Sequence, residues 1–266
     1  MGLIDSHAHV TFPELIGRLD EVWSACAEHG VDRVITIGTD LADARAAIDV
    51  CEKYPDRVRA GVGFHPHGAD KVSEEDVTTM ASLWSSPFVV AAGEMGLDYH
   101  YDFADREAQQ RVFRHQLELA RPTGLPIVIH ARESITDTVA ILAEMGYGGH
   151  RVVFHCFTGT AEEAELISSH GWRLSFTGIV TFKGSTWLQD IARSYPRDQL
   201  MVETDSPYLS PVPVRGKRPC EPAYVAHTAR FLAELRGEDP DSLFASTVEN
   251  TEAFFDWQSV IGGAER

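Results

Sequence analysis

Paired cysteines, long apolar runs and a surplus of positive charge are all missing from this chain of 266 residues. Its four cysteines, Cys26, Cys51, Cys156 and Cys220, are scattered without a Cys-x-x-Cys pair. That spacing argues against a zinc knuckle or a disulfide framework and suits a reducing cytosol. No apolar stretch approaches the roughly 20 residues needed to span a bilayer, so no membrane partner is expected. The N-terminus lacks a basic region followed by an apolar run, because Asp5 interrupts the only candidate. We therefore expect no signal peptide and a cytoplasmic location. Linkers rich in Gly, Pro or Ser, low-complexity segments and charge blocks are lacking too, so a single domain over residues 1–266 is expected, with no stable protein partner evident. Lys and Arg number 23 against 40 Asp and Glu, a net charge of −17. Such a balance counts against a nucleic-acid partner, because phosphates are bound through cations, unless bound divalent ions invert the local field.

What the chain does have is 44% hydrophobic residues and a regular alternation of short apolar runs with helical patterns. The strand-like runs are "LIDSH" (3–7), "RVITIG" (33–38), "RVRAGVGF" (57–64), "FVVAAGE" (88–94), "PIVIH" (126–130), "RVVFH" (151–155), "WRLSFTG" (172–178) and "QLMVETD" (199–205). Helical spacing appears at 15–30, 41–54, 104–124, 133–146, 161–171 and 187–195, and twice more in the tail at 221–237 and 241–257. Eight strands alternating with helices point to parallel βαβ units closed into a (β/α)8 TIM barrel, with an open doubly wound sheet as the structural alternative.

Ligand-type side chains recur at the ends of these runs. His7 and His9 are two residues apart and should share a strand face. His65 follows the third run, Glu94 closes the fourth, His130 the fifth, His155 the sixth and Asp205 the eighth, with Glu203 two residues earlier. A closed barrel would gather these ends on one rim, where barrel enzymes build their sites. Neutral imidazoles and carboxylates are ligands for Zn²⁺, Mn²⁺ and related divalent ions. Any one of these histidines alone reads more simply as a hydrogen-bonded core residue; the repetition strand after strand is what points to a metal centre. His29, His67, His100, His115, His150, His170 and His227 are given no role, and Cys156 reads as packing.

The motifs "DSHAHV" (5–10), "GVGFHPH" (61–67), "GEMGLDYHYD" (93–102), "PIVIHARE" (126–133), "FHCFTGT" (154–160) and "VETDSPYLSPVPVRGK" (202–217) together resemble the TatD family of metal-dependent hydrolases. The string "FTGIVTFKG" (176–184) looks most like its YcfH-type branch. The resemblance implies an amidohydrolase-like (β/α)8 barrel, a divalent-metal centre and Mg²⁺-dependent hydrolysis of phosphodiester bonds in DNA, often as a 3′-to-5′ exonuclease. It carries His7, His9, Glu94, His130, His155 and Asp205 onto the family's metal-ligand motifs, and His65 onto a histidine near the substrate. At "RGKRPCEP" (215–222) the chain departs from the family pattern, which runs through an Asn towards Glu-Pro.

From this set a two-metal centre is expected. One ion would be held by His7, His9, Glu94 and Asp205, the other by Glu94, His130 and His155, with Glu94 bridging and Asp205 as general base. Mg²⁺ is the expected working ion and Zn²⁺ or Mn²⁺ are alternatives. Glu203 would orient a ligand or hold a third ion. Arg132, Lys183, Arg215 and Lys217, with Arg218, would form a basic collar able to hold single-stranded DNA on an acidic protein. Phe64, Tyr99, Phe157 and Tyr208 are candidate stacking rings or core. The rival reading keeps the metals and changes the bond, to an ester or amide such as that of an aminoacyl-tRNA; a basic collar would favour phosphate, and an apolar lid the rival.

Overall fold

The computed structural model describes residues 2–101 and 103–257. Eight parallel strands form one sheet in sequential order: β1 (Leu3–Ala8), β2 (Val31–Gly38), β3 (Val58–Val62), β4 (Val89–Asp98), β5 (Ile127–Arg132), β6 (Val152–Phe154), β7 (Arg173–Phe176) and β8 (Leu200–Val202). Helices alternate with them, so the expected (β/α)8 barrel is what the chain forms. The seam between β8 and β1 is stitched just beyond β8, where Asp205 donates its N–H to the His7 carbonyl (3.0 Å) and His9 donates to the Ser206 carbonyl (2.7 Å). Across the same seam the Asp5 carboxylate accepts from the Thr204 N–H (2.9 Å) and hydroxyl (2.6 Å).

Side chains inside the barrel change character with height. Deeper in the barrel Ile35, Ile37, Val90, Val128, Val153 and Met201 fill the interior, and Phe254, Phe255 and Trp257 cluster with them. Phe254 and Phe255 end the helix Pro240–Phe255 and Trp257 follows it, so this segment closes the far end of the barrel. Arg33 and Arg59 lie over the Trp257 ring at 5.2 and 5.1 Å, keeping their charge against an aromatic face. A second, larger apolar layer lies between sheet and helices, with Phe113, Phe154, Trp172 and Phe176 among its largest members. At the carboxyl ends the interior is polar, with His7, His9, Glu94, Asp98, His155 and Glu203 buried.

One helix and several strand ends differ from the pattern expected from sequence. A helix at Glu74–Leu83 precedes β4; Ser73 and Asp76 cap it reciprocally, side chain to backbone in both directions. The fourth strand also runs on to Asp98 instead of closing at Glu94. Conversely, β6 ends one residue before His155, and β8 ends before both Glu203 and Asp205.

Candidate metal centre

Irregularities in β1 and β4 set the first of the expected ligands. Between Asp5 and Ala8, β1 uses three steps against two on β2, and between Ala92 and Met95, β4 does the same against β5. Such bulges re-aim side chains near barrel rims. In β4 the bulge is flanked by Gly93 (φ +128°) and Gly96 (φ +144°), where a Cβ would collide with the carbonyl oxygens of Val128 and His130. Glycine at both places lets β4 press against β5 while Glu94 turns into the barrel. Asp205 itself has φ +57°, so the alternation expected from Glu203 to Asp205 does not continue past β8.

Glu94 is the hub. Its Oε1 lies 2.7 Å from His155 Nε2, 2.8 Å from His130 Nδ1 and 3.4 Å from His65 Nε2. Its Oε2 lies 3.5 Å from His7 Nε2 and 3.9 Å from His9 Nε2. Asp205 Oδ1 stands 3.3 Å from His9 Nε2 and 3.9 Å from His7 Nε2. The His7 and His155 rings stack at 3.8 Å. All six expected ligands, and His65 with them, therefore meet around one carboxylate.

Several of these polar atoms have no hydrogen-bond partner although they are buried: both ring nitrogens of His7, Glu94 Oε2 and His155 Nδ1. An unsatisfied buried polar group costs about 1–3 kcal/mol, more when charged. Lone pairs left over on imidazole and carboxylate are what a divalent cation consumes, so the donor set fits metal ions. Among the described residues four groups of three place ligand atoms within 4.8 Å of one another: His7–His9–Glu94, Glu94–His130–His155, His7–His155–Glu203 and His65–His67–His130.

Charges within the cluster are strongly coupled. Burial alone would raise Glu94, but His155, His65 and His130 outweigh it and hold the carboxyl well below its usual range. Burial likewise opposes the shifts of His9, His130 and His155, yet Asp205 raises His9, Asp98 and Glu94 raise His130, and Glu94 and Glu203 raise His155. His7 is lowered chiefly by burial, and His65 is pushed down to about 4 by the same cause.

Glu203 is fully buried and faces a different side from Asp205. Its Oε1 accepts from the Cys156 N–H (2.6 Å) and lies 3.4 Å from His155 Nδ1, while Oε2 accepts from the Ser175 hydroxyl (2.7 Å). Cys156 sits in the turn after β6 at φ +46°, and burial, then the nearby Asp205 and Glu203 carboxylates, push its thiol well up. That environment makes it a poor nucleophile.

Asp98 was not singled out from the sequence, yet it is tied directly to the cluster. Its Oδ2 lies 2.9 Å from both His130 Nε2 and His67 Nε2, and its Oδ1 accepts from the N–H groups of His100 (3.0 Å) and Tyr101 (2.9 Å). Burial would raise this carboxyl, but the hydrogen bonds from His130 and His67 override it and keep it ionised. An ionised carboxylate only accepts, so both Nε2 atoms carry protons, and His130 is left with Nδ1 towards Glu94. His67, given no role from sequence, is the other arm of this bridge. The signal available in sequence was the carboxylate of "GLDY", four residues beyond Glu94 on what proves to be the same strand.

The basic residues divide. Arg215, Lys217 and Arg218 line one cleft of about 320 Å³ with Phe182 and Tyr208, beside the Pro207–Ser210 turn that follows Asp205. Arg215 stacks on the Phe182 ring at 4.0 Å. Lys183 and Arg132 are exposed and outside that cleft, Arg132 lying over Tyr101 at 4.7 Å on the β5 side. The departing segment 215–222 is pinned where Cys220 donates its N–H to the Pro207 carbonyl (2.9 Å) and Glu221 pairs with Arg18. Of the four candidate rings, Phe64 and Phe157 are core and Tyr99 is half-buried, its hydroxyl donating to Asp137 (3.0 Å); Tyr208 is exposed.

A family profile described as TatD related DNase matches residues 4–256. A Bacillus subtilis (strain 168) protein named uncharacterized metal-dependent hydrolase YabD is 39% identical over 253 residues, 95% of this chain and 98% of its own. The 3′-5′ ssDNA/RNA exonuclease TatD of Erwinia tasmaniensis is 33% identical over 257 residues, 95% of this chain and 99% of its own. The crystal structure of YJJV, a TatD homolog from Escherichia coli K12, superposes with a TM-score of 0.90 at 27% identity, over 96% of this chain and 98% of its own.

Proposed function

We propose, for a chain that belongs to the TatD-related DNase family, a 3′-to-5′ exonuclease acting on single-stranded DNA through two divalent ions, Mg²⁺ in function. Membership makes the protein a metal-dependent hydrolase of ester bonds. The single observation that carries the nuclease reading further is a cationic cleft of Arg215, Lys217 and Arg218 set directly after Asp205. It offers phosphate-binding groups where the rival ester or amide reading would need an apolar lid. The name of the Erwinia relative supports the same substrate class.

His7, His9, Glu94 and Asp205 would hold one ion, and Glu94, His130 and His155 the other. Such ions, when bound, lower the pKa of water and neutralise charge that grows on the phosphate oxygens. The chain's own groups do the rest. Asp205, the most accessible of these carboxylates at 16% side-chain exposure, is positioned to take the proton of the attacking water. Asp98 fixes His130 from outside the ligand set, and the Glu203 carboxylate stands 3.4 Å from His155 Nδ1. Arg215, Lys217 and Arg132 would hold the strand's phosphates, and His65, beside Glu94, would face the substrate.

Metal-stripped protein incubated with 3′- and 5′-labelled single-stranded DNA, with Mg²⁺, Mn²⁺ or Zn²⁺ restored, tests this. Shortening from the 3′ end that needs metal and vanishes in Glu94→Ala is the expected result. Intact DNA under every metal, with metal bound, would sink DNA as the substrate and return the search to esters and amides.

A further inference from the structure

Phe103 is 62% exposed and Tyr101 38% exposed, although both sit beside the polar end of the barrel. Their rings lie nearly parallel, 13° apart with centroids at 5.1 Å. Neither belongs to the apolar layers of the core. Both are held edge-on by the His67 ring, Phe103 at 4.9 Å and Tyr101 at 5.6 Å. His67 in turn binds Asp98, and Asp98 also takes the Tyr101 N–H and His130. The aromatic pair is therefore fixed through one carboxylate to a residue of the metal cluster. A cation completes it, since the Arg132 guanidinium lies 4.7 Å from the Tyr101 ring centre.

A rigid aromatic pair with a guanidinium at its edge and a hydrolytic centre beneath it has the chemistry of a nucleobase platform: a flat apolar face for the base and a positive charge for its phosphate. We propose that Tyr101, Phe103 and Arg132 form a stacking subsite for an unpaired base of the substrate strand next to the bond that is cut. The subsite rests on the nuclease reading and goes beyond it by explaining a preference for single strands. A base can lie on Phe103 only when it is out of a duplex stack. The subsite lies on the β5 side of the rim, whereas the cationic cleft of Arg215 follows β8, so the two would grip the strand on either side of the centre.

The test compares steady-state hydrolysis of a short single strand with the same strand carrying abasic nucleotides at its 3′ end. Stacking predicts that Phe103→Ala raises KM for the intact strand by about 5- to 150-fold, bringing it to the abasic value, with kcat far less affected. Phe103→Trp should restore the wild-type KM, which a merely structural contact would not require. Because Phe103 is exposed, its truncation leaves the core untouched. Equal KM for both strands in the wild type, or an equal loss on both in Phe103→Ala, would overturn the subsite while leaving the nuclease intact. If the wild type cuts neither strand, the nuclease reading falls and the subsite falls with it.

Discussion

Replacing Asp98 by Asn tests whether the cluster depends on a group outside its ligand set. The carboxylate receives four donors on two oxygens: two imidazole Nε2–H groups on Oδ2, and two backbone N–H groups on Oδ1. An amide has one accepting oxygen, so one pair of donors must lose its partner. If the oxygen stays with the backbone, the NH₂ group meets two imidazole N–H groups. His130 can relieve that only by moving its proton to Nδ1, the atom 2.8 Å from Glu94. A protonated Nδ1 cannot bind a cation. Loss of such a supporting hydrogen bond typically weakens metal binding 10–100-fold, about 1.4–2.8 kcal/mol. Metal affinity by competition with a chromophoric chelator should fall by that factor, while thermal melting shows a folded protein. Nitrogen chemical shifts of His130 in the metal-free protein, read at a pH high enough for this raised histidine to be neutral, should report the tautomer change. Wild-type affinity together with an unchanged tautomer would refute the role.

Proton release should accompany metal binding: His9, His130 and His155 are raised above 6.5 without metal, so ions displace protons and apparent affinity climbs with pH above that value. Calorimetric enthalpies that do not vary with buffer ionisation enthalpy would contradict this. In the metal-free protein the charge pairs of these three raised histidines stabilise fully below pH 6.5, and that contribution is lost as pH rises through their folded values. His65, pushed down to about 4, works in the opposite sense, stabilising above 6.5 and ceasing to do so as pH falls towards 4. Burial pushes the thiols of Cys26, Cys51 and Cys220 up to about 12, so iodoacetamide at pH 8 should leave them unmodified until denaturant is added; rapid labelling of native protein would show the burial to be wrong. Phe254→Ala, which opens the plugged end of the barrel, should cost about 3–5 kcal/mol in urea unfolding and leave metal affinity unchanged.

Strand number and order were legible because each strand is a short β-branched or apolar run, and that chemistry is local. The cluster of histidines and carboxylates was legible for a related reason: side chains of these types recur at the same end of several strands, which a closed barrel brings together. What escaped the sequence depended on geometry between segments. The helix Glu74–Leu83 offers only Val77 and Met80, with the half-buried Ala81 and Leu83, as an apolar stripe, and its capping box uses Asp76 in place of the commoner Glu or Gln. β4 was cut short because glycines at 93 and 96 resemble a strand end, when they mark close approach to β5. That truncation left Asp98 outside the strand and unexamined as a partner of the cluster. Tyr101 and Phe103 escaped because nothing local distinguishes an exposed ring from a buried one.

The charge of the chain takes on a different meaning once the carboxylates are located. Asp5, Glu94, Asp98, Glu203 and Asp205 lie in or beside a histidine cluster near the barrel axis, away from the outer surface that phosphates meet first. Asp5 is pushed well up by burial, so it acts as a hydrogen-bonding strut across the β1–β8 seam more than as a charge. The other shifted carboxyls, Glu94, Asp98 and Asp205, are held ionised by imidazoles, which makes the cluster an attractor for cations. Arg132, Lys183, Arg215, Lys217 and Arg218 are accessible cations near the rim, with the exposed Glu133 beside Arg132. An anionic strand held by these guanidinium and ammonium groups would reach the buried carboxylates only after cations had neutralised them. Net charge counts every side chain equally, whereas a phosphate responds to those within about a Debye length, ~8–10 Å, and least screened from it. A value of −17 is therefore compatible with an anionic substrate, provided metal binds before it.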